Sequence, residues 1–123
     1  MKSGPAILVA EDEECIRSLA KDYLEAFGFD VLQAANGSAA IDLICCEPSI
    51  KLVFSDIQMP GAVDGNELCS WLALNRPSMP VLLTSGCSAP DISTDPLHRF
   101  LAKPYDLQEM EHQIEELLSV AAA

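Results

Sequence analysis

Four short apolar segments of this chain each lead directly into polar or charged side chains. The residues that follow them are Glu11 with Asp12, Asp56, Thr84, and Lys103. Short continuous apolar runs are typical of buried strands, and helical patterns lie between these runs. This alternation predicts parallel strands joined by crossover helices. Because the carboxyl ends of parallel strands share one edge of a sheet, we expect these side chains to meet at that edge.

Five strand patterns alternate with helical patterns along the chain. The strands are predicted at residues 6–10, 29–34, 51–56, 81–83 and 99–102. The first helix has an apolar face from Ile16 to Phe27 and is expected to stop at Gly28. The last helix begins at Asp106, with Glu109 at the capping-box spacing. The pattern predicts an α/β fold: a single doubly wound, five-stranded parallel sheet covered on both faces.

The segment between the fourth and fifth strands is less regular. Residues 86–98 contain Pro90, Pro96 and several short polar side chains that compete for backbone hydrogen bonds. We therefore expect a short or irregular fourth helix there, in the most mobile part of the domain.

Composition narrows the classes of function. The chain has 123 residues and a net charge of −12, which favours one domain and argues against non-specific nucleic-acid binding. Neither a membrane-length apolar run nor a signal peptide is present, so we expect a cytoplasmic protein with no membrane partner.

The five cysteines lack metal or disulfide spacing and are expected to be free, buried thiols. Glutamates 109, 111, 115 and 116 are expected to form a solvated face of the last helix.

The side chains at the strand ends suggest a chemistry when they are taken together. Taken singly, each has an ordinary structural explanation: Asp56 as a turn or cap residue, Thr84 as a β-branched strand residue and Lys103 as a surface lysine. Three acids, a hydroxyl and a lysine at one edge instead favour a site for a divalent metal and a phosphoryl group.

Five motifs in this order resemble the response-regulator receiver domain of two-component signalling. They are Ile7-Leu8-Val9-Ala10-Glu11-Asp12-Glu13, Phe54-Ser55-Asp56-Ile57-Gln58-Met59-Pro60-Gly61, Asp64-Gly65, Leu83-Thr84-Ser85-Gly86 and Leu101-Ala102-Lys103-Pro104-Tyr105. The resemblance covers essentially the whole chain. It implies a flavodoxin-like strand order of 2-1-3-4-5 and a single receiver domain over residues 1–123, without an output domain.

The resemblance also implies a role for each residue of the site. Asp56 would accept a phosphoryl group from phosphohistidine, and Lys103 and Thr84 would contact that group. Mg²⁺ (or Mn²⁺) would be held by Asp12, Asp56, the backbone carbonyl of Gln58, and Glu11 through water. Glu11 stands where the family commonly has aspartate.

A switch is implied as well. Thr84 would move toward the phosphoryl group, and Phe100 would turn inward into the vacated space. The Lys103–Pro104 peptide bond is expected to be cis, as is often the case in the family.

The implied partners are a sensor histidine kinase or a histidine phosphotransfer protein, and then a downstream effector. Phosphorylation and dephosphorylation of itself would not make the chain an enzyme with an external substrate. One alternative is a pseudo-receiver that binds proteins without being phosphorylated. A phosphatase with an aspartyl intermediate is a second alternative, but Gln58 stands where such enzymes carry another acid. A flavin-binding module is a third, although no Ser/Thr-rich phosphate loop follows the first strand.

Overall fold

The computed structural model describes residues 5–86 and 95–122. Within these ranges the chain alternates between strands and helices. The strands are β1 (Ala6–Ala10), β2 (Asp30–Ala34), β3 (Ile50–Asp56), β4 (Val81–Ser85) and β5 (His98–Ala102). The helices are α1 (Glu14–Ala26), α2 (Gly37–Cys46), α3 (Gly65–Asn75) and α4 (Leu107–Ala122).

The strands form one parallel sheet in the order β2-β1-β3-β4-β5. The predicted α/β fold and its strand order are therefore confirmed. The predicted short or irregular fourth helix falls mainly on residues 87–94, which lie outside the described residues.

Two apolar clusters cover the two faces of the sheet. One includes Leu8 and Val53 from the sheet with Leu68 and Leu72 from α3. The other packs alternate sheet residues against α1 and α4. Every residue of β1 is buried, which explains why this strand is a continuous apolar run and not an alternating one.

Local capping signals fix the beginnings and ends of the helices that frame the site. Asn36 caps α2 by accepting a hydrogen bond from the Ala39 amide, 2.8 Å away. Asp64 and Glu67 form a reciprocal capping box at the start of α3. Gly28 follows α1 with φ of 93°, a conformation that favours glycine.

Two burial predictions were wrong. Glu111 is only 6% exposed, because it lies on the buried stripe of α4 and not on its solvated face. Of the cysteines expected to be buried, Cys15, Cys45 and Cys46 are exposed and Cys69 is half-buried; these four are free thiols, and Cys87 lies outside the described residues. Among the described residues, no helix is long and apolar enough to cross a membrane.

Candidate functional site

Three carboxylates converge at the carboxyl edge of the sheet. Glu11 and Asp12 follow β1, and Asp56 ends the neighbouring strand β3. One oxygen from each of the three lies within 4.8 Å of the other two. Glu11 and Asp56 are 4% and 7% exposed, whereas Asp12 is exposed to solvent. Two of these three charges therefore lie where water compensates them poorly.

Lys103 partly compensates the two buried carboxylates. Its Nζ lies 3.2 Å from Asp56 Oδ2 and 3.3 Å from Glu11 Oε1. Its backbone amide donates to the Ser85 carbonyl at 2.9 Å, which ties the residue to the end of β4. Burial lowers the pKa of Lys103, but the charges of Glu11 and Asp56 raise it, and the net shift is upward. The lysine is therefore held as an ammonium ion.

Both carboxylate oxygens of Glu11 have a partner, since Lys103 contacts Oε1. Its Oε2 accepts a hydrogen bond from the Glu13 amide at 3.2 Å. Burial is the largest cause of its raised pKa, and the nearby charge of Asp56 acts in the same direction. One lysine thus leaves the negative charge at this edge incompletely balanced, which is the condition that favours binding of a dication.

Thr84 and Gln58 lie on either side of Asp56. Thr84 is the register partner of Asp56 across β3 and β4. Its hydroxyl is buried and has no hydrogen-bond partner in the described parts of the chain. The backbone amide of Gln58 donates to Asp56 Oδ1 at 3.3 Å. A hydroxyl without a partner beside a strand-end carboxylate can contact a group attached to that carboxylate.

The remaining predicted site residues lie on β5 and directly after it. Phe100 is half-buried against the cluster that contains Val53 and Leu68. The peptide bond between Lys103 and Pro104 is cis.

Sequence reasoning missed two neighbours of the site. Tyr105 packs edge-on against Phe54, with ring centroids 5.7 Å apart, and burial raises the pKa of its hydroxyl. It lines a mainly apolar cavity of about 480 Å³ between the start of α1 and the segment after β5. Arg17, on α1, donates from Nη1 to the Glu11 carbonyl at 2.7 Å. The five-residue motif around Lys103 could have suggested Tyr105, but no sequence pattern indicates Arg17.

The family description "Response regulator receiver domain" matches residues 7–115. This chain belongs to the response-regulator receiver family. The response regulator receiver protein CpdR of Brucella abortus (strain 2308) is 31% identical over 119 residues, which is 94% of this chain and 98% of CpdR. The sensor kinase CckA of the same strain is 30% identical, but the chain spans only 13% of its length.

Solved structures agree with this assignment. The receiver domain of the hybrid histidine kinase CckA is 34% identical, with a TM-score of 0.75, and the alignment covers 92% of this chain and 98% of that one. The response regulator TrrA of Thermotoga maritima, crystallised with Mg²⁺ and BeF, is 25% identical with a TM-score of 0.80; 91% of this chain and 97% of TrrA are covered.

Proposed function

We propose that this receiver accepts a phosphoryl group from phosphohistidine on Asp56, in a Mg²⁺-dependent step that changes a protein-binding surface. The observation that carries the proposal is the position of Asp56 between a compensating ammonium and a second buried acid. An aspartate that only ended a strand or capped a turn would not need a lysine and a second buried acid beside it. A carboxylate held among other charges at a sheet edge is suited to phosphoryl chemistry at that edge.

The transfer is an in-line displacement at phosphorus. An oxygen of the Asp56 carboxylate forms the new O–P bond as the N–P bond of phosphohistidine breaks, and the imidazole leaves with the electron pair. Lys103 then pairs with a phosphoryl oxygen, as its ammonium now pairs with Asp56. The Thr84 hydroxyl donates to another phosphoryl oxygen. Positioning and charge compensation supply most of the catalysis in such a transfer.

Mg²⁺ is the metal that best fits the side chains present. Asp12 and Asp56 would be carboxylate ligands, the Gln58 carbonyl a third ligand, and Glu11 a contact through water. The close approach of the three acids supports this set, since Mg²⁺ prefers oxygen ligands and usually keeps several waters. When bound, the ion neutralises charge on the phosphoryl oxygens. Mn²⁺ has similar ligand preferences and would substitute for it.

The output is a shift between two packing arrangements. Thr84 moves toward the phosphoryl group, and Phe100, half-buried on the adjacent strand β5, turns into the space that Thr84 leaves. Phe100 has no hydroxyl, so its two positions differ only in packing. This change alters the surface around β5 that a downstream effector recognises.

The phosphoryl donor is a sensor histidine kinase or a histidine phosphotransfer protein, and the similarity to the receiver of the kinase CckA supports this. Residues 1–123 act as one receiver domain in the cytoplasm, as a signalling module without an external substrate. A net charge of −12 argues against nucleic acid as a direct partner, and we propose no membrane partner.

Incubation with acetyl phosphate and Mg²⁺, followed by intact-mass analysis, tests the assignment. The wild type should gain one phosphoryl group, and Asp56→Asn should gain none. Asp42→Asn, which removes an exposed acid from α2, should be labelled like the wild type. Labelling that persists in Asp56→Asn or in EDTA would contradict the proposal. A wild type that stays unlabelled would instead favour a pseudo-receiver.

A further inference from the structure

Arg17 holds the main chain from which two of the acids project. It lies half-buried on α1, one turn after the helix begins, and reaches back to the end of β1. Its Nη1 donates to the carbonyl oxygen of Glu11 at 2.7 Å. A charged donor at this distance makes one of the stronger hydrogen bonds available to a backbone carbonyl.

The Glu11 main chain is thereby fixed at both of its polar groups. Its amide donates to the Ala34 carbonyl at 3.0 Å and so extends the pairing of β1 with β2 by one residue. Its carbonyl, just beyond the last strand pair, is held by Arg17. Because a peptide unit is planar, holding the Glu11 carbonyl also sets the direction in which the chain enters Asp12.

Asp12 depends on this constraint more than the other two acids do. Glu11 and Asp56 are buried, and Lys103 contacts both of them. Asp12 is exposed, so packing does little to hold its carboxylate near the other two. A rotation of the Glu11–Asp12 peptide would move that carboxylate out of the group whose oxygens lie within 4.8 Å of one another.

We propose that Arg17 is a positioning residue that sets the Mg²⁺ affinity of the site by holding the Glu11–Asp12 peptide. The inference rests on the proposed function, because it assumes that these acids bind the ion. Arg17 donates to a backbone oxygen, whereas Lys103 contacts the carboxylates themselves, so the two cations have different effects. Loss of Arg17 should weaken metal binding and leave the chemistry of the loaded site nearly intact.

The test compares Arg17→Gln with Lys21→Gln. Both variants remove one positive charge from α1, but Lys21 pairs with Glu25 at 3.0 Å, one turn further along. Mg²⁺ affinity is measured by isothermal titration calorimetry, and the Asp12 amide is followed by NMR during the same titration. Arg17→Gln should bind Mg²⁺ about tenfold more weakly, as is typical when a group that orients a metal ligand is lost. Lys21→Gln should stay within about twofold of the wild type, since salt screens a distant surface charge.

Kinetics separate positioning from a general structural role. With acetyl phosphate as donor, Arg17→Gln should need more Mg²⁺ for half-maximal phosphorylation but approach the wild-type rate at saturating Mg²⁺. Arg17→Lys keeps the charge and one donor and should recover part of the affinity. If Arg17→Gln does not fold, the comparison of Arg17→Lys with Lys21→Arg takes its place, and only Arg17→Lys should lose affinity.

Two results would overturn the inference without touching the proposed function. One is equal Mg²⁺ affinity in Arg17→Gln and Lys21→Gln while the wild type is phosphorylated normally. The other is a lower rate at saturating Mg²⁺ with unchanged affinity in Arg17→Gln. A wild type that neither binds Mg²⁺ nor becomes phosphorylated would count against the proposed function itself.

Discussion

Replacing Asp56 with asparagine should make the metal-free protein more stable, although it removes the proposed phosphoacceptor. The substitution preserves the shape of the side chain and an oxygen that can accept the hydrogen bond from the Gln58 backbone amide. It removes one negative charge from a 7% exposed position beside two other acids. It also removes the attraction of that charge to Lys103. The outcome depends on which of these two effects is larger.

The distances allow an order-of-magnitude comparison. At an effective dielectric constant of about 20, Lys103 at 3.2 Å attracts Asp56 by about 5 kcal/mol. Each of the other two carboxylates, within 4.8 Å, repels it by at least about 3.5 kcal/mol on the same scale. Asp12 is exposed, so water weakens its part of the repulsion. Repulsion and the lost hydration of the buried carboxylate together exceed the attraction to Lys103. Asp56→Asn should therefore raise the free energy of unfolding by about 1–2 kcal/mol.

Thermal denaturation followed by circular dichroism measures this gain. In EDTA at low ionic strength, Asp56→Asn should melt about 4–8 °C above the wild type, given the size of the domain. Asp42→Asn, an exposed charge-matched control on α2, should melt close to the wild type. Excess Mg²⁺ should stabilise the wild type by about 2.7 kcal/mol at a hundred times its Kd and should stabilise Asp56→Asn less, so the gap should close or reverse. Equal or lower metal-free stability of Asp56→Asn would refute the view that uncompensated charge dominates this edge.

Three further substitutions test other features of the structure. Thr84→Val replaces a buried hydroxyl that has no partner among the described residues, so the free energy of unfolding should stay within about 1 kcal/mol of the wild-type value or rise. The change in the protein's fluorescence or NMR spectrum that follows phosphorylation of the wild type should be lost in this variant. Gly65→Ala should lower the free energy of unfolding, measured in urea, by roughly 1–3 kcal/mol, because a Cβ there would collide with the backbone at the end of β3. Asn66→Ala, at the exposed position that follows, should not lower it. Glu111→Gln should stabilise the protein at pH 8 by on the order of 1 kcal/mol, because burial raises the pKa of Glu111 and its ionised form is disfavoured in the folded state. That gain should disappear as the pH falls below the unfolded pKa, where Glu111 is protonated in both states, and exposed Glu109→Gln should show no such gain.

The position of the site could be predicted because parallel strands constrain it strongly. An apolar run ends where its strand leaves the core, and β3 ends at Asp56 in the structure as the sequence predicts. Once the strands are parallel, their last residues must share an edge. The start of a helix is harder to predict from apolar periodicity: α2 begins at Gly37, and its first two residues, Gly37 and Ser38, add nothing to an apolar pattern.

The contacts that refine the site could not be predicted in this way. The hydrogen bond from Arg17 to the Glu11 carbonyl joins a side chain to a backbone atom six residues earlier, and neither residue type marks it. The burial of Glu111 did leave a signal that was overlooked. Glu111 lies four residues after Leu107 and three before Ile114, so helical geometry places it on the buried stripe of α4 despite its charge.

Charge balance at the sheet edge links stability, metal binding and phosphoryl transfer. A single ammonium lies between two buried carboxylates, at 3.2 and 3.3 Å, and burial together with the neighbouring Asp56 charge keeps the pKa of Glu11 raised. The resting site therefore carries more negative charge than its own lysine compensates. In the proposed reaction a bound dication would relieve that excess, and the same compensation would let a negatively charged phosphoryl group approach Asp56. The charge expected to destabilise the metal-free fold is thus the same charge that would make the proposed chemistry depend on a metal.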